Sequence, residues 1–224
     1  EDAVITLNLW QPLREELEKS KLFKVYQKID LPLVRVLKDI EECGVKLNVI
    51  LLEKLSKKLH KELKGIEIEA IELLKKSGVE VAEDFNLSSP KQIAWVLFEK
   101  LGLPILKKGK TGPSTDVSVL EELAEQHPFP KLLLEVRELS KLLSTYVDTL
   151  PKLVDESTGR LHTSLSQTVA VTGRLASSNP NLQNIPIKTD RGKEIRDSFI
   201  AEKGFVLLGA DYSQVELRIL AHIT

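Results

Sequence analysis

The stretch Phe205-Val206-Leu207-Leu208-Gly209-Ala210-Asp211-Tyr212-Ser213-Gln214-Val215-Glu216-Leu217-Arg218 places an acidic residue where an apolar run gives way to a helical pattern. Phe205 to Leu208, after Gly204, reads as a buried strand, and Gln214 to Ile223 as an amphipathic helix. A carboxylate at such a strand end is rigidly held and open to solvent, as a Mg²⁺ ion shared with phosphate oxygens requires. The same residues support a second reading. Ser213 and Glu216 fit the Ser-x-x-Glu capping box, and Asp211 is a charge that a helix N-terminus favours. Pattern alone leaves catalysis and capping both open.

Working outward, helical periodicity dominates the first two-thirds of the chain. Leu132, Val136, Leu139, Leu143, Val147 and Leu150 recur at three- and four-residue steps, which predicts one helix over Lys131–Leu150 with a single buried stripe. Leu51–Leu74 reads likewise, with Lys54, Lys57, Lys58, Lys61, Glu62 and Lys64 on a solvated outer face. Ile29–Cys43 is a helix ended by Gly44, Val45–Leu47 a short strand, and Asn48 the cap of the next helix. Ser89 and Pro90 start a helix from about Lys91 to Leu101, and Ser114–Asp116 start another that runs to about Gln126. Lys107–Pro113 holds too many breakers to be regular and reads as a mobile basic loop.

After Pro151 the character changes. Arg160–Val171 suits strands, Asn179–Pro186 is a loop, and a short helix is expected near Lys193–Phe199. Helices first and strands later give an α+β fold, a mostly helical part followed by antiparallel strands.

The 224 residues, 42% hydrophobic and 29% charged, are enough for a real core and exclude a disordered chain. No apolar run approaches the roughly 20 residues of a membrane span, so no membrane partner is expected. With Cys43 alone there is no intramolecular disulfide, and a reducing, cytoplasmic setting is the default. Lys plus Arg is 32 against 33 for Asp plus Glu, so any anion-binding surface is local. A chain that opens on Glu1 and holds no Met reads as a piece of something longer.

Three apparent motifs are decoys. Gly109-Lys110-Thr111 lacks the spacing and the preceding strand of a phosphate loop. Asn86-Leu87-Ser88 is a better helix cap than a glycosylation acceptor, and His60, His127, His162 and His222 share no metal-ligand spacing.

Longer comparison resolves the open choice. Asp211–Arg218, DYSQVELR, resembles motif A of the family A DNA polymerases, the bacterial DNA polymerase I group. Thr172-Gly173-Arg174-Leu175, then Ser177-Ser178 and NPNLQNIP over Asn179–Pro186, resemble that family's TGRLSS and PNLQNIP segment, with Ala176 as a small variation. Ile195, Arg196 and Phe199-Ile200-Ala201 are similar to its IRxxFIA stretch. NLSSPKQ from Asn86, Pro113–Thr115 and LLSTY over Leu142–Tyr146 resemble its thumb. The likeness runs in order along essentially the whole chain.

The resemblance implies three regions: residues 1–28 as the remnant of an exonuclease-domain helix and linker, 29–150 as the thumb with its basic tip loop, and 151–224 as the first part of the palm. It also implies roles. Asp211 is one of two aspartates that hold the catalytic Mg²⁺ pair, with Tyr212 adding a backbone carbonyl. Gln214 and Glu216 lie beside the incoming nucleotide, Glu216 excluding a 2′-hydroxyl. Arg174 reads the minor groove near the primer terminus, and Asn181, Gln183 and Asn184 add polar contacts to DNA. Arg137 and Lys141 hold primer-strand phosphates, and Lys107, Lys108 and Lys110 form the thumb tip.

The match also implies gaps. The fingers and the second catalytic aspartate are missing, so the chain is a fragment that is not expected to extend primers alone. Its expected partners are primer–template DNA, dNTP once the C-terminal half completes the site, and a second polypeptide carrying the fingers and the rest of the palm. Ala170 stands where a threonine is common before the TGR segment. The alternatives are a non-catalytic duplex-binding module and a helical structural or interaction protein.

Overall fold

The structure, a computed structural model, describes residues 2–109 and 112–224; Lys110 and Thr111 of the basic loop lie outside the described residues. Helix α1 (Asp2–Lys19) buries no side chain and meets the next turn through Arg14, whose guanidinium lies 5.2 Å from the centre of the Phe23 ring. Helix α2 (Phe23–Val25) passes through a wider π-type turn (Tyr26–Asp30) into α3 (Leu31–Cys43). Gly44 ends α3 as expected, for two reasons. Its φ is +57°, and a Cβ there would sit 2.6 Å from the Leu161 carbonyl oxygen.

Strand β1 (Lys46–Leu47) and the cap at Asn48 also follow the sequence, the Asn48 side chain accepting from the Leu51 N–H at 3.1 Å. Helix α4 (Val49–Lys76) then runs 28 residues, roughly 42 Å at 1.5 Å per residue. Its inner stripe is Leu52, Leu55, Leu59, Ala70 and Leu74, and its lysines face water. Helix α5 (Pro90–Ala94) extends through a π-type turn (Trp95–Lys100).

The basic loop is more regular than its breakers suggest. Strands β2 (Lys108–Gly109) and β3 (Gly112–Pro113) pair antiparallel, Lys108 opposite Pro113 and Gly109 opposite Gly112. After α6 (Val117–Leu123), the expected single helix Lys131–Leu150 is three pieces: α7 (Pro128–Leu142), a π-type turn (Leu143–Val147) and a 3₁₀ turn (Leu150–Leu153). Pro151 cannot donate to a continuing α-helix and falls in the 3₁₀ turn. The stripe survives the breaks, because Val136, Leu139, Leu143, Val147 and Leu150 are all buried.

Two apolar clusters share α4 and α7. One joins Ala70 and Leu74 to Leu133, Val136, Leu97, Leu120 and Phe129. The other joins Leu52, Leu55 and Leu59 to Leu139, Leu142, Leu161 and Ile195. The remaining elements are short antiparallel pairs and two helices, as an α+β fold requires. Strand β4 (Val154–Asp155) pairs with β5 (Arg160–Leu161), and β6 (Ser164–Ser166) with β7 (Ala176–Ser178). Helix α8 (Asp190–Arg196) leads to β8 (Phe199–Ile200), which pairs with β1, and α9 (Val215–Ile223) closes the chain.

Three expectations need correction here. The strand-like stretch after Arg160 stops at Ser166, and Val169 and Val171 are exposed. The helix expected from Lys193 begins at Asp190, because Thr189 caps it by accepting from the Gly192 N–H at 3.1 Å. Phe205–Leu208 is not a strand. Val206 and Leu208 are 86% and 91% exposed, and no described strand pairs with this segment. A strand holds its shape only when its N–H and C=O groups have partners.

His127 caps α7, its Nδ1 accepting from the Phe129 N–H at 3.1 Å, so the ring must be neutral with its proton on Nε2. Burial pushes its pKa below the ordinary 6.5. The native state therefore binds the proton less readily than the unfolded chain, and this contribution is full above pH 6.5 and lost as pH falls below it. His127→Asn keeps an acceptor that does not titrate. Melting temperatures from pH 7.5 down to 5 should fall more steeply for the parent than for the variant; parallel curves would show that this cap is not pH-linked.

Candidate functional site

Two segments far apart in sequence converge near Arg174. Gly173, with φ +75°, turns the backbone so that Arg174 stands in solvent, and β7 follows. The Ser177 Oγ, buried, accepts from the Leu182 N–H at 3.0 Å and folds the 179–186 loop back on the strand. Gln183 ties the same loop twice, donating to the Leu175 carbonyl and accepting from the Ser177 N–H, both at 3.0 Å. The Asn181 Oδ1 accepts from the Gln183 N–H at 3.0 Å, and the Asn184 carbonyl accepts from the Tyr146 hydroxyl at 2.6 Å. Gln183 and Asn181 thus shape the loop from within, and the Tyr146 bond fastens it to the end of α7. Burial pushes the Tyr146 phenol above its usual range.

Asp211 and Tyr212 stand exposed before α9. The capping box does not form. Gln214, with φ +52°, occupies the N-cap position without a side-chain cap, and Ser213 gives its carbonyl to the Arg218 Nε–H at 3.0 Å. Glu216, the supposed partner of that box, turns instead to Arg174 Nη2 at 2.9 Å. Both side chains are about three-quarters exposed, so the pair adds little stability and marks proximity instead.

The basic residues divide into two groups. Arg137, half-buried, donates to both the carbonyl and the hydroxyl of Thr115, and burial lowers its pKa against the pull of Asp116. Lys107 reaches Asp116 at 2.8 Å, which holds that carboxyl below the usual range, aided by Ser114. Lys141, one turn beyond Arg137, and Lys108 are exposed. Thr115 and Asp116 therefore hold two of the basic side chains, and Lys108 and Lys141 face solvent.

A Mg²⁺ ion takes hard oxygen donors, with one or two carboxylates and water or phosphate completing the shell. The Asp211 carboxylate and the Tyr212 carbonyl are donors of that kind, both in an exposed segment. The set is nevertheless sparse. Among the described residues no group of three His, Cys, Asp or Glu side chains is placed to hold a metal.

Residues 49–224 match the sequence profile described as DNA polymerase family A. The chain belongs to that family. It is 49% identical over its whole length to DNA polymerase I of Pseudomonas aeruginosa and 49% identical to the thermostable DNA polymerase I of Thermus filiformis, covering 24% and 26% of those proteins. The chain thus spans about a quarter of the length of the curated relatives it matches. Among solved structures it is similar to the POL domain of Pol1 from M. smegmatis in complex with DNA primer-template and dNTP. That match has a TM-score of 0.86 and 38% identity and covers 96% of this chain and 37% of the other. No helix among the described residues is long and apolar enough to cross a membrane.

Within this family A chain, periodicity and motif reading passed over two residues that shape the site. Arg191 bridges Glu62 and Glu138, and Gly192 lies where the 179–186 loop closes onto α8. A Cβ on Gly192 would come within 2.5 Å of the Pro186 carbonyl oxygen. No pattern marked Gly192 in the sequence, because it lies just before the helix expected from Lys193. Gly192→Ala should cost about 1–3 kcal/mol through displacement of Pro186. Gly65→Ala, in α4 with nothing within 4 Å of its Cβ, should raise stability by about 0.5–1 kcal/mol. Urea unfolding of the two variants checks both signs.

Proposed function

We propose that this chain forms the thumb, over residues 29–150, and the first part of the palm, over 151–224, of a DNA polymerase that copies a primer–template. Residues 1–28 are the remnant of a preceding domain. The observation that carries the reading is the meeting of Arg174 and Glu216 at 2.9 Å. It joins the TGR segment to motif A on an exposed face, five residues from Asp211.

Each group then has a task. Arg174 reaches base-edge acceptors in the minor groove, which look alike in every correct pair and can be read without regard to sequence. Lys141, Lys108 and Lys110 attract phosphates, and Arg137 and Lys107 join them by exchanging Thr115 and Asp116 for the DNA backbone. Asn181 and Gln183 keep the loop in shape, and Asn184 presents its side chain to the duplex. Gln214 and Glu216 border the incoming nucleotide, and Glu216 leaves no room for a 2′-hydroxyl.

Mg²⁺, when bound, supplies Lewis-acid activation and charge neutralisation. Asp211 and Tyr212 are the residues of this chain that would hold it. A lone carboxylate binds Mg²⁺ too weakly for a working pair of ions, so primer extension needs the fingers and the remainder of the palm. The 224 residues by themselves bind duplex without extending it.

Fluorescence anisotropy with a labelled hairpin primer–template tests the binding. Affinity should be indifferent to duplex sequence and should fall steeply between 50 and 200 mM salt, in proportion to the phosphates engaged. Lys141→Ala should weaken binding and lower the salt slope by about 1. Arg174→Ala should weaken it by roughly tenfold, the lower end of a good base-edge contact. Absence of any DNA affinity would return the chain to the class of helical interaction proteins. In the polymerase completed by its other half, Asp211→Asn should reduce primer extension roughly a thousandfold, the several kcal/mol of charge stabilisation a metal site supplies.

A further inference from the structure

Arg191 occupies a costly position. It lies in the first turn of α8, where the helix dipole disfavours a cation. It is also held away from water, with its side chain only 25% exposed. Its guanidinium reaches Glu62 Oε1 on α4 at 2.5 Å and Glu138 Oε2 on α7 at 3.1 Å. Burial works against the charge, yet the Glu62 bond and the charges of Glu62, Glu138 and Glu135 outweigh it and raise the pKa. One side chain thus ties three helices together, a geometry that the planar fork of arginine permits and a lysine point charge does not. The nearby Lys58–Glu194 pair is single and more exposed, at 58% and 42%, and contributes less.

The next residue of α8 after Arg191, Gly192, carries the loop. Pro186 is packed so closely on Gly192 that no Cβ fits between them, Thr189 closes the end of the loop onto the helix, and the Asn184 carbonyl is fastened to Tyr146 after α7. The loop is therefore seated at one end on α8 and at the other on the α7 extension. Where α8 sits between α4 and α7 decides where the 179–189 segment sits.

We infer that Arg191 is a positioning residue: by clamping α8 between Glu62 of α4 and Glu138 of α7, it sets the 179–189 loop relative to the long helices. This rests on the nucleic-acid reading above for the purpose of the loop, but not for the clamp itself. Its guanidinium is engaged by Glu62 and Glu138, so its effect on DNA binding is indirect.

Two measurements on the 224-residue chain separate these levels. By amide hydrogen exchange, Arg191→Ala should speed exchange across residues 179–192 about tenfold, leave the α4 and α7 amides protected as in the parent, and Arg191→Lys should lie between. The charge exchange Arg191→Glu with Glu62→Arg should restore slow exchange relative to Arg191→Glu alone. Unchanged loop exchange, or equal loss of protection throughout α4 and α7, would overturn the clamp. By anisotropy, Arg191→Ala should weaken hairpin DNA binding about fivefold with the salt slope unchanged. A slope reduced by about 1 would make Arg191 a direct phosphate contact and overturn the assignment. Failure of the parent chain to bind DNA would sink the nucleic-acid reading alone, because the exchange result stands without DNA.

Discussion

The seam between α4 and α7 buries leucines along nearly the whole of α4, from Leu52 to Leu74, and on α7 from Leu133 to Leu142. Because both apolar clusters draw on these two helices, neither cluster is complete without the seam. Interior packing is dense enough that a shift of one helix is felt by all its neighbours. The Thr115 shelf that holds Arg137 and the Tyr146 bond to the 179–186 loop are both referred to this one helix pair. Deleting a fully buried leucine in it, such as Leu59 or Leu139, removes transfer energy and leaves a cavity, together about 2–5 kcal/mol.

Around that rigid pair, polar groups do the fine placement. Thr189, Asn48 and His127 start helices, Ser177 and Gln183 close a loop, and Arg191 draws a short helix against two long ones. The exposed Arg174–Glu216 pair is of another kind. It is weak enough to part at small cost, which suits two residues whose proposed partners are DNA and nucleotide.

The helices were legible because burial on one side imposes a 3.6-residue rhythm that the stripes in 51–74 and 131–150 display. Their ends were legible where a cap or a glycine is local, as at Asn48 and Gly44. What could not be read was whatever depends on a distant partner. Phe205–Leu208 has the composition of a strand, but pairing is a property of two segments and none of the described residues supplies the second. The Ser213–Glu216 box has the right letters, yet Glu216 finds Arg174, 42 residues away, more accessible than its own N-cap. The candidate site residues were named from motif order, whereas the Glu62–Arg191–Glu138 bridge and the Pro186–Gly192 contact leave no periodic trace. Lys and Glu on the face of α4 read as solvated, yet Glu62 and Lys58 both reach α8, Glu62 through Arg191 and Lys58 through Glu194.

The pairing of β1 with β8 has a consequence for the order in which the molecule can be assembled. Lys46 meets Ile200, and Glu62 meets Arg191 across 129 residues of chain. During synthesis from the N-terminus, helix α4 can form and find α7 while its outer carboxylate and the strand before it still wait for residues not yet made. Contacts between positions so far apart in sequence form slowly, since a long loop must close before they reward it. Local helical packing therefore comes first, and the junction that seats the 179–189 loop is completed only once residues 191–200 have emerged.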